Sequence, residues 1–580
     1  MRFTQVAFPL LILFTLISCK PNTGAKDDGG VDDSDLNGYN DKTFFKTDGQ
    51  EILNRQGEPV VIKGFGLGGW LLPEGYMFNI SAPDGGSPTS IRRQIEDLIG
   101  PADTEEWFQL FRDNYVQEAD IIAMKEWGAD HIRFPFHYNL FYDIDTDEFI
   151  DEGFDRLDQL LVWCKRHRVD VILDMHAAPG AQNDGPISDS DGTARLWTES
   201  ETYWPITVKV WEEIARQYKD ETIIIGYDLI NEPVTPDGYG GRDLARLYGQ
   251  LTTAIRKIDE NHILFIEGNY YATTFDFLTP PFDDNMVYAF HKYWNETDQG
   301  TIQYLLNIRS QHNVPLWLGE SGENSNPWFY ETIKLMERNN VGWNWWTHKK
   351  LETITSPLSA PTNENYEKVL EYWRGGNRPS VSEAKDGLFK MAEDLQIENT
   401  TRRPDVIAAL FSPSFGTINE PYKELTIPGN IKAVDYDIGT NNVSYWDVEY
   451  KRVSSDDAQN NGNNGWEYRN DGVDIQSSED PANEYNVGWI ETGEWMEYTV
   501  EVTEGTYDMT ARIASAINSS ELLLQLDGVS LTGTVDVPNT GGYQTWQRLR
   551  LGTADFPSGT YTLRLTAVTG GFNITELNFE

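Results

Sequence analysis

The chain has 580 residues, which is more than one hydrophobic core normally holds, so we expect at least two folded units. It contains 46 Lys and Arg residues against 92 Asp and Glu residues, a formal net charge of −46. Such a field repels phosphate backbones, which argues against nucleic-acid binding. We interpret the acidity as a source of solubility rather than as a sign of any particular ligand.

The first 42 residues predict targeting rather than folding. Residues 1–18 resemble a bacterial lipoprotein signal peptide, with Arg2 as the positive charge and a short apolar core at 6–17. In such signals the cysteine of the cleavage box, here Cys19, becomes the lipidated first residue. Residues 19–42 are polar, Gly-rich and acidic, which predicts a flexible tether. We expect a lipid anchor in the cell envelope, at the outer membrane or cell surface; a secretory signal with an incidental cysteine is the alternative.

Between residues 43 and 411, short β-branched runs alternate with longer helical patterns. The strand-like runs are 60–66, 129–135, 169–175, 223–230, 262–267, 286–291, 314–320 and 341–346. Helical patterns occupy 104–127, 152–168, 204–218, 243–259 and 327–339. Eight strand–helix repeats predict an α/β fold, a (β/α)₈ TIM barrel. A doubly wound open sheet is the alternative, but no Gly-rich phosphate loop opens a helix after the first strand.

Functional side chains fall at or just past the carboxyl ends of six different predicted strands. They are Arg133, His176, Glu232, His291, Glu320 and Trp346. In a barrel these ends converge on one face, where active sites are built. Cleavage of a glycosidic bond requires two carboxyl groups, and Glu232 and Glu320 supply such a pair. Two strand-end acids in structural salt bridges are the alternative.

Four motifs in this order resemble glycoside hydrolase family 5 over about residues 43–411. They are Asn231-Glu232-Pro233, His291-Lys292-Tyr293, Gly319-Glu320 and Gly342-Trp343-Asn344-Trp345-Trp346. The resemblance implies that Glu232 is the general acid/base, with a raised pKa, and that Glu320 is the nucleophile. It implies that Arg133 and Tyr293 hydrogen-bond the nucleophile, and a cation near Glu320 is expected to lower its pKa.

The same resemblance implies a sugar-binding role for the remaining residues. Asn231 would bind the 2-hydroxyl, His176 and His291 would line the subsite of the reacting sugar, and Trp346 would form its stacking floor. A core histidine bonded to backbone is the alternative for either histidine. No Cys/His cluster with zinc spacing occurs, so we expect no metal and no cofactor.

Residues 412–424 read as a linker, and from 425 onward short alternating strands predict a β-sandwich. The runs at 487–490, 493–500 and 541–546 resemble carbohydrate-binding module family 6, a jelly-roll fold, over 425–580. This resemblance implies a sugar-binding cleft formed by Tyr468, Trp546 and Asn573. Relatives hold a structural calcium with oxygen ligands where this chain has Lys432 and Val434, which puts that site in doubt.

Together these patterns predict a monomeric, lipid-anchored, retaining glycoside hydrolase that acts on a β-linked polysaccharide. Residues 66–71 and 176–183 look most like the β-1,3-glucanase-related branch of family 5. A β-glucan is therefore favoured, with the linkage open between β-1,3 and β-1,4. A β-mannanase or xylanase of the same family is one alternative, and a non-catalytic glycan-binding surface lipoprotein is another.

Overall fold

A computed structural model describes residues 43–80, 86–454 and 463–580 of the chain. The predicted signal peptide at 1–18, the tether at 19–42 and the lipidation site Cys19 lie outside the described residues. Among the helices within these ranges, none combines the length and the apolar character that crossing a bilayer requires.

Eight parallel strands close into a barrel, which confirms the predicted fold. We number them β1 to β8 in chain order: Lys63–Gly66, His131–His137, Asp170–Ala177, Ile224–Asp228, Ile263–Glu267, Met286–Lys292, Leu316–Ser321 and Gly342–Trp345. Each lies within or overlaps one of the eight predicted runs. β8 pairs with β1, so the sheet has no free edge and all eight carboxyl ends open on one face.

Helices surround the barrel, and the longer ones bury one apolar face each. They are Pro88–Ile99, Pro101–Tyr115, Glu118–Trp127, Asp151–His167, Arg195–Thr198, Ser200–Tyr218, Gly241–Arg256, Asn269–Ala272, Gln303–His312, Asn326–Arg338, Glu364–Trp373, Val381–Asp394 and Pro404–Phe411. In Asp151–His167 the buried Leu157, Leu160, Leu161 and Cys164 recur three or four residues apart, which is the spacing of one helical face.

The single helix predicted over 104–127 is wrong, because the chain forms two helices there. Val116 and Gln117 are extended between Pro101–Tyr115 and Glu118–Trp127. The Gln117 backbone N–H donates to Asp120 Oδ2 at 2.9 Å, which caps the second helix. The apolar spacing continues across the break and therefore hid it.

Short strands outside the barrel form two pairs and one group of three. They are Lys46–Asp48 with Glu51–Leu53, Tyr142–Asp143 with Glu148–Phe149, and Lys349–Leu351 with Leu358–Ala360 and Thr401–Arg402.

Two antiparallel-rich sheets form the C-terminal sandwich. One contains Leu425–Ile427, Tyr445–Trp446, Trp495–Val502, Ser520–Leu526, Val529–Ser530, Val535–Val537 and Gly559–Thr569. The other contains Gly429–Lys432, Ile475–Ser477, Tyr485–Val487, Gly505–Ser515, Gly542–Phe556 and Asn573–Phe579. Alternate residues of Trp495–Val502 are buried, as expected for a strand with one face on a core.

The sandwich packs directly against the barrel. Phe415, within the predicted linker 412–424, is buried, and its ring lies 5.5 Å from that of Tyr330 on the helix after β7. Ile438 of the sandwich joins the same buried apolar cluster as the barrel helices. The two domains therefore share part of one core.

Candidate active site

A cavity of about 760 Å³ opens at the carboxyl ends of the barrel strands. This volume is in the range of ligand pockets, roughly 300–1,000 Å³. Its walls include His176, Glu232, His291, Glu320 and Trp346, so five of the six strand-tip residues identified in the sequence meet there. The sixth, Arg133, lies fully buried beneath them.

Glu232 and Glu320 face the same space from β4 and β7. Side-chain atoms of Glu232, His291 and Glu320 lie within 4.8 Å of one another. Both carboxyl groups are almost buried, with exposures of 9% and 6%. Carboxyl groups in retaining glycosidases are about 5–5.5 Å apart, and those in inverting enzymes roughly 6.5–9.5 Å. The two carboxyl groups are therefore close enough to act on the same glycosidic bond.

Arg133 is the charge centre below the cavity. Its Nη1 donates to Glu320 Oε2 at 2.9 Å, and its Nη2 donates to Glu267 Oε1 at 3.0 Å. The guanidinium also lies 2.9 Å from Asp228 and 3.2 Å from Asp174. Although burial disfavours its charge, these four carboxylates hold the pKa of Arg133 well above its ordinary value. Arg133 is therefore a permanent cation.

Both carboxyl oxygens of Glu320 accept hydrogen bonds. Arg133 donates to Oε2, and the Tyr293 hydroxyl donates to Oε1 at 2.8 Å. Burial raises the pKa of Glu320 above its ordinary value, with His291 and Arg133 opposing it and Glu232 adding to it. Arg133 lowers this pKa, as expected for a nearby cation, but the desolvation of the buried carboxylate outweighs the cations.

Glu232 stands on strained backbone. Its φ of +45° lies in the left-handed region, which is uncommon for residues other than glycine. Its N–H donates to Glu267 Oε2 at 2.6 Å, and its carbonyl accepts from Asn183 Nδ2 at 3.0 Å. These two bonds fix the turn that aims the side chain into the cavity.

The His291 ring lies between the carboxyl groups of Glu232 and Glu267. Its Nδ1 lies 2.8 Å from Glu232 Oε1, and its Nε2 lies 3.2 Å from Glu267 Oε1. Although burial opposes the charge, Glu267, Glu320 and the hydrogen bonds raise the pKa of His291 well above its ordinary value. A positive charge on His291, between Glu232 and Glu267, is therefore favoured.

The rings of Trp346 and His176 stack on each other in one wall of the cavity. Their rings are parallel within 6°, with centroids 4.9 Å apart. Asp174 orients His176 through a 2.8 Å contact to Nδ1, and the Trp346 Nε1 donates to the Tyr76 hydroxyl at 2.9 Å. Trp346 is only 3% exposed, so it offers a ligand little of the open face that a stacking floor requires.

Asn231 is buried beneath this wall. Its Oδ1 accepts from Arg133 at 2.8 Å, and its Nδ2 lies 3.4 Å from His176 Nε2. In this structure it serves to join the arginine to the histidine.

The sequence analysis missed Glu267, Glu74 and Tyr76. Glu267 ends β5 after four apolar residues, so the signal that revealed Glu232 and Glu320 was present there too. Glu74 and Tyr76 line the cavity from the loop after β1, where no periodic pattern marks them. Burial, followed by Glu320 and Glu232, raises the pKa of Glu74 well above its ordinary value.

Glu232, His291 and Glu320 form a group whose spacing can accommodate a cation. The same convergence is what a pair of reacting carboxyl groups needs. Arg133 beside Glu320 supplies the positive charge that such a cation would otherwise bring.

The sandwich has a cleft of its own, but not with the expected aromatic pair. Asn573 lines it together with Trp489 and Tyr543, which are 47% and 45% exposed. Tyr468 lies outside, because its hydroxyl bonds Asp435 at 2.5 Å and its backbone carbonyl accepts from the barrel. Trp546 is half-buried and donates to Gln544 instead. In the sequence, the signal for this cleft was an aromatic residue directly after a glycine, at Trp489 and at Tyr543.

Lys432 and Val434, where family 6 relatives hold a structural calcium, do not fit a cation. Val434 is buried in the apolar core of the sandwich, and Lys432 is exposed. The neighbouring carboxylate of Asp435 already accepts a hydrogen bond from Lys423 Nζ at 2.8 Å. An ammonium group therefore neutralises the carboxylate that remains there.

Comparisons with known proteins agree with this architecture. Residues 97–351 match the model described as cellulase (glycosyl hydrolase family 5), and 466–580 match carbohydrate binding module family 6. A beta-xylosidase of Phanerodontia chrysosporium is 34% identical over 255 residues, which cover 43% of this chain and 52% of that protein. Cellodextrinase A of Ruminococcus flavefaciens is 33% identical over 184 residues, 31% of this chain and 52% of that protein.

Endoglucanase C of Acetivibrio thermocellus is 26% identical over 322 residues, covering 44% of this chain and 91% of that protein. The chain spans about half the length of the beta-xylosidase and the cellodextrinase that it matches. The chain therefore contains a glycoside hydrolase family 5 domain within its barrel and a family 6 carbohydrate-binding module in its sandwich.

Proposed function

We propose that the protein is a retaining glycoside hydrolase that cleaves a β-linked polysaccharide by double displacement. The observation that carries this proposal is the approach of the Glu232 and Glu320 side chains to within 4.8 Å, at the base of the cavity. This approach is short of the roughly 6.5–9.5 Å that separates the carboxyl groups of inverting enzymes, which supports retention.

In the first step Glu320 is the nucleophile and Glu232 the acid. Glu320 attacks the anomeric carbon while Glu232 transfers its proton to the glycosidic oxygen, which leaves as an alcohol. The His291 Nδ1, 2.8 Å from Glu232 Oε1, keeps the Glu232 side chain in position for this transfer. Arg133 and Tyr293 keep Glu320 in position for the attack.

In the second step the glycosyl–enzyme ester is hydrolysed. Glu232, now a carboxylate, removes a proton from water, and the water oxygen attacks the anomeric carbon. Glu320 leaves as a carboxylate and recovers its bond to Arg133. Two displacements at the same carbon return the β-configuration.

A β-glucan is the favoured substrate, with β-1,3 or β-1,4 linkage. The loops at 66–71 and 176–183, which supported this choice in the sequence, lie at the carboxyl ends of β1 and β3. The names cellodextrinase and endoglucanase among the relatives support a glucan. The name beta-xylosidase favours xylan as the second candidate.

We also propose that the protein acts outside the cytoplasm as a lipid-anchored monomer of the cell envelope. The support is the sequence pattern around Cys19 and the polar residues 19–42 that follow it. Trp489, Tyr543 and Asn573 are proposed to hold the polysaccharide in the cleft of the sandwich.

Glu320→Gln and Glu232→Gln test the mechanism. Each is expected to lower kcat on laminari- or cello-oligosaccharides by roughly a thousandfold or more, with unchanged circular dichroism. The first product released by the wild type, followed by NMR, is expected to be the β-anomer. Near wild-type turnover in either variant would refute the assignment, and an α-anomer would refute retention. At least tenfold faster cleavage of xylo- or manno-oligosaccharides would overturn only the choice of glucan.

A further inference from the structure

The wall of the catalytic cavity includes residues from the second domain. Arg452 and Trp466 line the cavity together with Trp294 and Glu323 of the barrel. Trp466 is half-buried, and the Arg452 guanidinium lies 4.9 Å from the centroid of the Trp294 ring. Aromatic rings and planar guanidinium groups are the surfaces against which sugar rings pack.

The barrel fixes Arg452 through the loop that follows the proposed nucleophile. Asn324, four residues after Glu320, accepts from the Arg452 N–H at 3.1 Å. Its Nδ2 donates to the Arg452 carbonyl at 2.7 Å. The next residue, Ser325, donates to the Tyr450 carbonyl at 2.6 Å. Three hydrogen bonds therefore join this loop to the backbone at Tyr450 and Arg452.

Trp466 is oriented by a second buried contact. Its Nε1 donates to Asn470 Oδ1 at 3.1 Å, and the Asn470 amide donates to the Asn324 carbonyl at 2.8 Å and to Asn326 Oδ1 at 3.0 Å. Asn326 is the first residue of the helix after β7. The indole is thus held relative to the catalytic strand and not only to its own domain.

The backbone at Gly465 and Trp466 is left-handed. Gly465 has a φ of +71°, and a Cβ there would lie 2.2 Å from the Ile475 carbonyl oxygen. Trp466 itself has a φ of +45°. The left-handed conformation is easy for Gly465 but costly for Trp466, so the contacts around Trp466 must hold it.

We propose that Arg452 and Trp466 form an outer sugar subsite of the catalytic cavity, so that one glycan chain contacts both domains while it is cleaved. The subsite takes a pyranose unit of the same chain, several units from the scissile bond. It rests on the proposed glycosidase function and adds to it a dependence on chain length. It is distinct from the cleft at Trp489 and Tyr543, which shares no lining residue with the cavity.

Trp466→Ala in the full chain tests the subsite. We expect kcat/KM to fall roughly five- to tenfold on hexa- and longer oligosaccharides and to stay within twofold on the shortest cleaved ones. Trp466→Phe keeps a stacking ring and is expected to restore most of the loss. Phe282→Ala removes an exposed ring before β6, at the opposite end of the barrel, and serves as the matched control.

Binding keeps this test separate from the proposed catalysis. With Glu320→Gln as background, calorimetry with the same oligosaccharides is expected to show weaker binding of long chains when Trp466→Ala is added. A wild type that cleaves no oligosaccharide would refute the glycosidase function, and the binding difference would still decide the subsite. Equal losses on short and long chains, or no loss on either, would overturn the subsite.

Discussion

Arg133 determines the charge balance of the site because four carboxylates surround one guanidinium. Buried carboxylates repel one another, and a cation in their midst makes the cluster tolerable. Even so, burial leaves the pKa of Glu320 above its ordinary value. Burial therefore works against the ionised form of the proposed nucleophile, and His291 and Arg133 work for it.

This balance predicts the acid side of the pH profile. Glu320 must be a carboxylate to attack, so activity rises with pH through its raised pKa and is lost as the pH falls below it. The acid limb of kcat/KM is thus expected above the ordinary Glu value of about 4.3. Tyr293→Phe removes the hydrogen bond to Oε1, disfavours the charged form and is expected to move this limb to still higher pH.

Tyr218→Phe is the control for that measurement. Its hydroxyl bonds Asp158 on the outer helices, so the acid limb is expected to stay in place. An acid limb that does not move in Tyr293→Phe would show that Glu320 does not control it.

At the scale of single elements, the loop after β1 positions Trp346. Gly66 and Gly68 pass so close to the indole that a Cβ would lie 2.7 Å and 2.6 Å from its ring atoms. Real Cβ atoms do not approach so closely, so a side chain there must displace the ring. The absence of a side chain at Gly66 and at Gly68 is what lets Trp346 stack on His176.

Gly68→Ala is therefore expected to lower kcat/KM by about tenfold or more, because the displaced indole disturbs the wall at His176. Gly249→Ala is the matched control, since nothing lies within 4 Å of its added Cβ on an outer helix. That variant is expected to keep full activity and to gain about 0.5–1 kcal/mol of stability. Chemical denaturation and oligosaccharide kinetics measure both effects. Unchanged kinetics in Gly68→Ala would contradict the role of the loop.

Sequence periodicity predicted the barrel because each strand is a short apolar run, and the polar functional residue follows where that run ends. Glu232 and Glu320 were found in this way, and Glu267 carries the same signal at the end of β5. Positions that depend on loop geometry were not predictable. Trp489 and Tyr543, rather than Tyr468 and Trp546, flank the cleft of the sandwich because turns set which rings are exposed.

At the scale of the whole molecule, the two domains meet through buried polar groups. Asn326 donates to Asp405 Oδ2 at 3.0 Å and to Asp471 Oδ1 at 2.9 Å, and all three residues are buried. No local pattern predicts such a contact, because Asn326 and Asp471 are 145 residues apart. A buried carboxylate that loses its donor costs about 1–3 kcal/mol or more.

We therefore expect the two domains of the wild type to unfold in one calorimetric transition. Asn326→Ala leaves Asp405 and Asp471 short of a donor and is expected to split this transition into two. Asn307→Ala is the control, because that asparagine is exposed on an outer helix and bonds only a neighbouring glutamine among the contacts described. Two separate transitions in the wild type would contradict the coupling.

The docked sandwich also limits how such a chain can be recombined. Catalytic domains and binding modules are often treated as interchangeable parts joined by a spacer. Here, replacing residues 425–580 with another module would remove Arg452 and Trp466 from the wall of the catalytic cavity. It would also leave Asn324 and Asn326 facing the wrong surface. Such an exchange would therefore rebuild one wall of the proposed catalytic cavity as well as the separate cleft of the sandwich.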